Sequence, residues 1–95
     1  MNKRKSARGE ECLVRIPGVC NFDPETTVLA HYGIAGYFGK GMKPDDDLGA
    51  YACSSCHDVM DGRVKRPYDL SKTDISLMHA EGVMRTWMRR KELAK

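Results

Sequence analysis

Apolar and polar positions repeat in two different ways along this chain. The run TTVLAHY, residues 26–32, is rich in β-branched residues and alternates with a period of two. It predicts a strand with Thr27, Leu29 and His31 on one face and Val28 and Ala30 on the other. A second short strand is expected over 48–52, returning antiparallel to the first. Between them, residues 33–47 hold Gly33, Gly36, Gly39 and Gly41, then Pro44 and a run of aspartates. That composition reads as a loop, carrying Tyr37, Phe38, Lys40 and Lys43. After Cys53 the pattern predicts a short helix through His57 and Met60, capped by Ser54 or Ser55 and stopped by Gly62. Residues 63–70, with Pro67, form a linker. From Ser71 or Thr73 to about Ala94 the period becomes 3.6. Leu77, Ala80, Met84, Trp87 and Met88 share one helical face, which predicts a long helix with that stripe on the core and with His79, Arg89 and Arg90 opposite, at the surface. Ser71 and Asp74, three residues apart, have the form of a capping box.

Strands followed by helices in 95 residues, 41% of them apolar, indicate one α+β domain. Residues 1–10 read as a flexible basic arm. Residues 11–95 read as the domain, with a core over 12–63 and the C-terminal helix over about 71–94. A core of this size commonly needs a staple. No apolar run reaches transmembrane length, and the basic, polar segment Met1 to Glu10 does not read as a secretory signal. A cytoplasmic location is therefore expected, where thiols stay reduced and four cysteines favour metal ligation over disulfides.

Those cysteines fall into two pairs. Cys53 and Cys56 are a C-x-x-C at a helix entry. Cys12 and Cys20 flank an apolar run closed by a Pro17-Gly18 turn. Four thiolates suit the tetrahedral coordination of structural zinc, whose binding would supply folding energy on the order of 10 kcal/mol or more. An iron–sulfur cluster uses the same ligands and stays open as an alternative. A thioredoxin-like redox pair would need a βαβ setting that the pattern lacks.

Net charge is +3, from 16 basic and 13 acidic residues. Lys3, Arg4, Lys5 and Arg8 cluster near one end, and Arg85, Arg89, Arg90 and Lys91 near the other. Such clusters either neutralise phosphates or serve as solubilising termini.

Strand, loop, strand and helix around a gripped metal make the ββα-metal arrangement. A histidine ending the first strand, His31, can take a proton from a water attacking phosphorus. A histidine on the helix, His57, can hold a divalent ion that offsets charge on the phosphate. Asp61 lies at i+4 from His57 and can share or orient that ion.

The string Cys53-Ser-Ser-Cys56-His57, preceded by a strand ending in histidine, resembles the HNH endonucleases of the His-Me finger superfamily. ARGEECLVRIPGVCN at 7–21, PETTVLAH at 24–31, GMKPDD at 41–46 and ACSSCHDVMDGR at 52–63 resemble the YbcO-like nuclease family of lambda-like prophages. The resemblance implies a zinc-stabilised HNH-like fold with an added C-terminal helix. It implies His31 as general base, His57 as ligand of a catalytic Mg2+ or Mn2+, and Cys12, Cys20, Cys53 and Cys56 as structural zinc ligands. The asparagine usual in the middle of the HNH pattern has its nearest match at Asp46 or Asp47. Where many HNH enzymes carry a metal-binding aspartate before the histidine, this chain has Ala30, so the carboxylate must come from Asp61, Asp58 or Asp46. The expected function is hydrolysis of DNA phosphodiester bonds by a metal-dependent endonuclease. Lys40, Lys43, Arg63, Arg85 and Arg89 are candidate DNA contacts, and a protein partner or homodimer is possible. The alternative is a non-catalytic zinc-containing nucleic-acid-binding or adaptor module of phage recombination or replication.

Overall fold

The computed structural model describes residues 5–33 and 46–95. The loop residues Tyr37, Phe38, Lys40 and Lys43, and Lys3 and Arg4 of the basic segment, lie outside the described residues.

Strand β1, Val28–His31, pairs antiparallel with β2, Gly49–Ala52, in a two-stranded sheet. The register sets Val28 opposite Ala52 and His31 opposite Gly49. Both strands are shorter than the pattern predicted. Pro24–Thr26 forms a 3-10 turn, capped by Asp23, whose side chain accepts from the Glu25 N–H. This turn withdraws Thr26 from the strand. At the other end the Tyr32 N–H still donates to the carbonyl of Leu48, the last residue of the 3-10 turn Asp46–Leu48, 2.9 Å away.

Both faces of the sheet are covered. On one, Leu29 and Tyr51 pack with Leu13 and Ala7. Ala7 is fully buried behind the 3-10 turn Lys5–Ala7, so the basic segment is anchored from Lys5 onward and is not a free arm over all of residues 1–10. Gly49 is required here: a Cβ would lie 2.4 Å from Leu29 Cγ. On the other face Ala30, Ala50 and Ala52 meet Val14, Ile16, Val59, Ile75 and Val83, in a core that also contains Cys12, Cys53 and Cys56.

Helix α1, Ser54–Met60, is capped by the sulfur of Cys53, which accepts from the Cys56 N–H, and not by Ser54 or Ser55. It ends at Gly62, whose φ of +78° suits glycine. Helix α2, Lys72–Leu93, starts at the complete Ser71–Asp74 capping box.

The face that α2 buries differs from the predicted one. Ile75, Gly82, Val83 and Thr86 are buried. Leu77, Met84, Trp87 and Met88 are 46–66% exposed. Small residues explain the rotation. A Cβ on Gly82 would come within 2.8 Å of Val14 Cγ2, so the glycine lets the helix lie close on Val14 and β2. Close approach brings the Thr86 hydroxyl to the Tyr51 N–H, from which it accepts at 2.9 Å, while it donates to the Gly82 carbonyl at 2.7 Å. On the same outer edge of β2, the Tyr51 carbonyl accepts from the Leu13 N–H at 2.7 Å. An otherwise bare strand edge is thus satisfied from two sides. No helix among the described residues is long and apolar enough to cross a membrane.

Candidate metal centre and histidine cleft

The loop 12–20 closes as its Pro17-Gly18 pair predicts. Val19 and Cys20 N–H groups donate to the Ile16 carbonyl at 3.1 and 3.0 Å, and Gly18 adopts a φ of +76°. This turn and the entry to α1 bring the sulfurs of Cys12, Cys20, Cys53 and Cys56 within 4.8 Å of one another. Tetrahedral coordination at the usual zinc–sulfur length needs sulfurs about 3.8 Å apart. Cys20 and Cys53 already stand at 3.9 Å.

Backbone donors point at the sulfurs. Arg15 N–H reaches Cys12 at 3.4 Å, Asn21 N–H reaches Cys53 at 3.5 Å and Cys56 N–H reaches Cys53 at 3.4 Å. Such donors favour thiolates. The protonation pattern is that of crowded thiols competing for charge. A hydrogen bond from Cys56 draws Cys12 down to about 4. The same bond, then burial, pushes Cys56 up. Burial pushes Cys20 up to about 11. A divalent cation relieves this competition by taking the place of the protons. The four cysteines can therefore hold a metal such as zinc. Among the described residues they are the one group of three or more acidic, histidine or cysteine side chains arranged to do so.

The histidines lie beside this centre. His31, at the end of β1, has Nε2 2.7 Å from Asp46 Oδ1. His57, on α1 directly after Cys56, has Nε2 3.2 Å from Asp61 Oδ2. The Arg63 guanidinium holds the same Asp61 oxygen and lies 3.7 Å from Asp58. Asp46, a candidate metal ligand in the sequence, thus stands against His31, and Asp61 stands against His57.

His79 joins them, although the α2 periodicity placed it at the surface. It lies on the helix face that packs on the sheet. Its Nε2–H donates to the Ala30 carbonyl at 2.8 Å, and its ring meets Tyr32 edge-on at 5.1 Å. Tyr32 in turn bonds Ser76 through its hydroxyl at 3.0 Å. Burial lowers the His79 pKa from its ordinary value, with His57 and His31 adding to the effect and Asp61 opposing it. The signal in the sequence is the spacing of Ile75, His79, Gly82, Val83 and Thr86. It is a helical face, though a weakly apolar one.

A cleft of about 660 Å³ opens over this cluster, lined by His31, Tyr32, Asp61 and His79, with Lys65, Arg66 and Lys72 from the α1–α2 linker and the start of α2. Ala30, in contrast, is buried in the core, 1% exposed. The other predicted cations lie elsewhere or are paired. Arg85 donates to the Leu13 carbonyl at 2.8 Å and lies 3.5 Å from Glu81. Arg89 grips Glu10 at 2.6 Å, an ion pair that holds its guanidinium firmly charged. Both line a separate depression.

A family model described as "Putative nuclease YbcO" matches residues 1–95. "Putative nuclease YbcO" of Escherichia coli (strain K12) and "Putative nuclease ybcO" of Enterobacteria phage 82 are each 60% identical over 60 residues, covering 63% of this chain and 62% of the relative. The chain therefore matches about three-fifths of the length of these curated relatives. A solved structure, "Structure of a putative bacteriophage protein from Escherichia coli str. K-12 substr. MG1655", is similar with a TM-score of 0.75. It is 41% identical, over 96% of this chain and 98% of that one.

Proposed function

The chain belongs to the family described as "Putative nuclease YbcO", and we propose that it hydrolyses DNA phosphodiester bonds in the HNH manner, with His31 as general base. The observation that carries this reading is the His31–Asp46 contact at the mouth of the cleft. Nε2–H of His31 donates to Asp46, which fixes the tautomer and leaves the Nδ1 lone pair free to accept a proton. A water at Nδ1 loses that proton as its oxygen bonds to phosphorus. The opposite phosphorus–oxygen bond then breaks, and the leaving oxygen takes a proton from solvent.

His57 and Asp61 offer two donor atoms 3.2 Å apart. This is the sparse donor set that magnesium accepts when phosphate oxygens and water complete the coordination. An ion held there would offset charge on the phosphate and on the leaving oxygen. Arg63 keeps Asp61 turned toward His57. The four cysteines fix the start of α1 and so the position of His57.

The test is a cleavage assay with zinc-loaded protein on plasmid, single-stranded and branched DNA, with and without added magnesium or manganese. Cutting should need the added ion, and His31→Ala should slow it about 100-fold or more. A His31→Ala protein that cuts at the parent rate would overturn the mechanism. Ala30 favours a second reading, a non-catalytic nucleic-acid-binding module, since its position supplies no carboxylate. Folded, zinc-bound protein that cuts none of these substrates would establish that reading instead.

A further inference from the structure

The sequence directed attention to Arg63, Arg85 and Arg89, yet each of these has a carboxylate partner. The cations without one lie elsewhere. Residues 63–72, RVKRPYDLSK, hold Arg63, Lys65, Arg66 and Lys72 against a single carboxylate, Asp69. This segment alone thus carries a net +3, equal to that of the whole chain. Lys65, Arg66 and Lys72 form no ion pair among the described residues, and all three line the cleft beside His31, Asp61 and His79.

The segment is built, not loose. Arg66 Nε–H donates to the Leu70 carbonyl at 2.9 Å, and the Leu70 N–H donates to the Pro67 carbonyl at 3.0 Å. The turn so closed presents Tyr68 at its tip, fully exposed. A fully exposed aromatic ring, between the cleft-lining cations Arg66 and Lys72 in the sequence, matches the chemistry of single-strand binding. Cations track the backbone while an aromatic ring takes a base. A duplex offers such a ring little, because its bases are already stacked on one another. The cleft volume, about 660 Å³, is that of a site for a small ligand, such as a short piece of one strand.

We infer that the segment 63–72 is a single-strand-binding element. Lys65, Arg66 and Lys72 hold backbone phosphates leading into the cleft, and Tyr68 stacks an unpaired base beside it. The inference rests on the nuclease reading for its choice of ligand and narrows the substrate to DNA with an unpaired stretch.

Binding is measured by fluorescence anisotropy with zinc-loaded full-length protein. The probes are a labelled oligothymidine of about 15 nucleotides and a duplex of the same length, with no magnesium or manganese added. Tyr68→Ala should weaken oligothymidine binding about 5- to 100-fold and leave duplex binding unchanged. Lys65→Ala with Lys72→Ala should reduce the salt dependence of oligothymidine binding by about 1.4 in the log–log slope. All three side chains are exposed, so the variants should fold, and an unchanged thermal midpoint verifies that. Equal losses on both probes, no loss with Tyr68→Ala, an unchanged slope, or no binding by the parent protein would each overturn the inference. Failure of the nuclease reading looks different. Protein that binds single strands through Tyr68 but never cuts, with or without His31, leaves the element standing and removes the catalysis.

Discussion

Two side chains at or beside the cleft are placed to act through a neighbour. In the proposed reaction Asp46 touches no substrate atom; its role there is to set which nitrogen of His31 carries the proton. Asp46→Asn can present an amide N–H to Nε2, which inverts the tautomer. Cleavage turnover is then expected to fall about 100-fold or more, with DNA affinity little changed. His79 works through its neutral form. Its imidazole is packed against Tyr32 and donates to Ala30, and burial lowers its pKa, with His57, His31 and Asp61 the titratable groups near it. The unfolded chain binds a proton at this residue near the ordinary value of 6.5 while the folded chain resists it. Stability from this group is therefore complete above about pH 6.5 and declines as pH falls toward the lowered folded value. His79→Gln retains a donor for the Ala30 carbonyl and removes the titration. Denaturation midpoints measured between about pH 7 and pH 5 should fall less steeply in the variant than in the parent.

At the level of elements, α2 is seated by what it lacks. Glycine in a helix interior costs about 1 kcal/mol relative to alanine, so Gly82→Ala ought to stabilise an isolated helix. In the protein the added carbon would sit 2.8 Å from Val14 Cγ2 and 3.3 Å from Val14 Cα. Val14 is buried and β-branched and cannot swing aside, and overpacking of this kind costs about 1–3 kcal/mol. The close contact should win, giving a net loss of up to about 2 kcal/mol in chemical denaturation. An unchanged or raised midpoint would mean that α2 does not sit as close as described. The same residue explains where the sequence was and was not legible. The strands, the short helix, the capping box and the cysteine pairs could be read because each depends on neighbours within a few positions. The orientation of α2 depends on distance to the sheet, which Gly82 and Thr86 set through smallness and one hydroxyl. Hydrophobic periodicity gives no weight to either, so the stripe of Leu77, Met84, Trp87 and Met88 was assigned to the core, and His79 was assigned to solvent. The pairing of Asp46 with His31 was out of reach for a related reason. The two lie 15 positions apart in the sequence, and no local rule spans that distance.

For the molecule as a whole, the cysteine centre and the apolar core are one body. Cys12, Cys53 and Cys56 pack with Val14, Ile16, Ala52 and Val59. Metal loss should therefore unfold the domain and not merely loosen a loop. One zinc per chain is expected by elemental analysis. Treatment with a strong chelator, or Cys56→Ser, should abolish the cooperative thermal transition, as a binding contribution on the order of 10 kcal/mol implies. Persistence of a sharp transition after zinc is stripped would assign the core its stability without the metal. Because α1 is capped by Cys53 and carries His57, the same treatment should also disperse the histidine cluster.

Trp87 is the chain's single tryptophan. Its indole N–H donates to the carbonyl of Asp47, the residue after the partner of His31. The molecule therefore contains an optical reporter wired to its own cleft. Half-exposed indole emission responds to small changes in hydrogen bonding and solvent contact, and any event that moves Asp46 must tug on Asp47. Occupancy of the cleft by an ion or a strand can thus be followed as a shift in intrinsic fluorescence, without a label and without turnover. Asp46→Ala, which removes the contact with His31, serves as the variant in which that signal should fade.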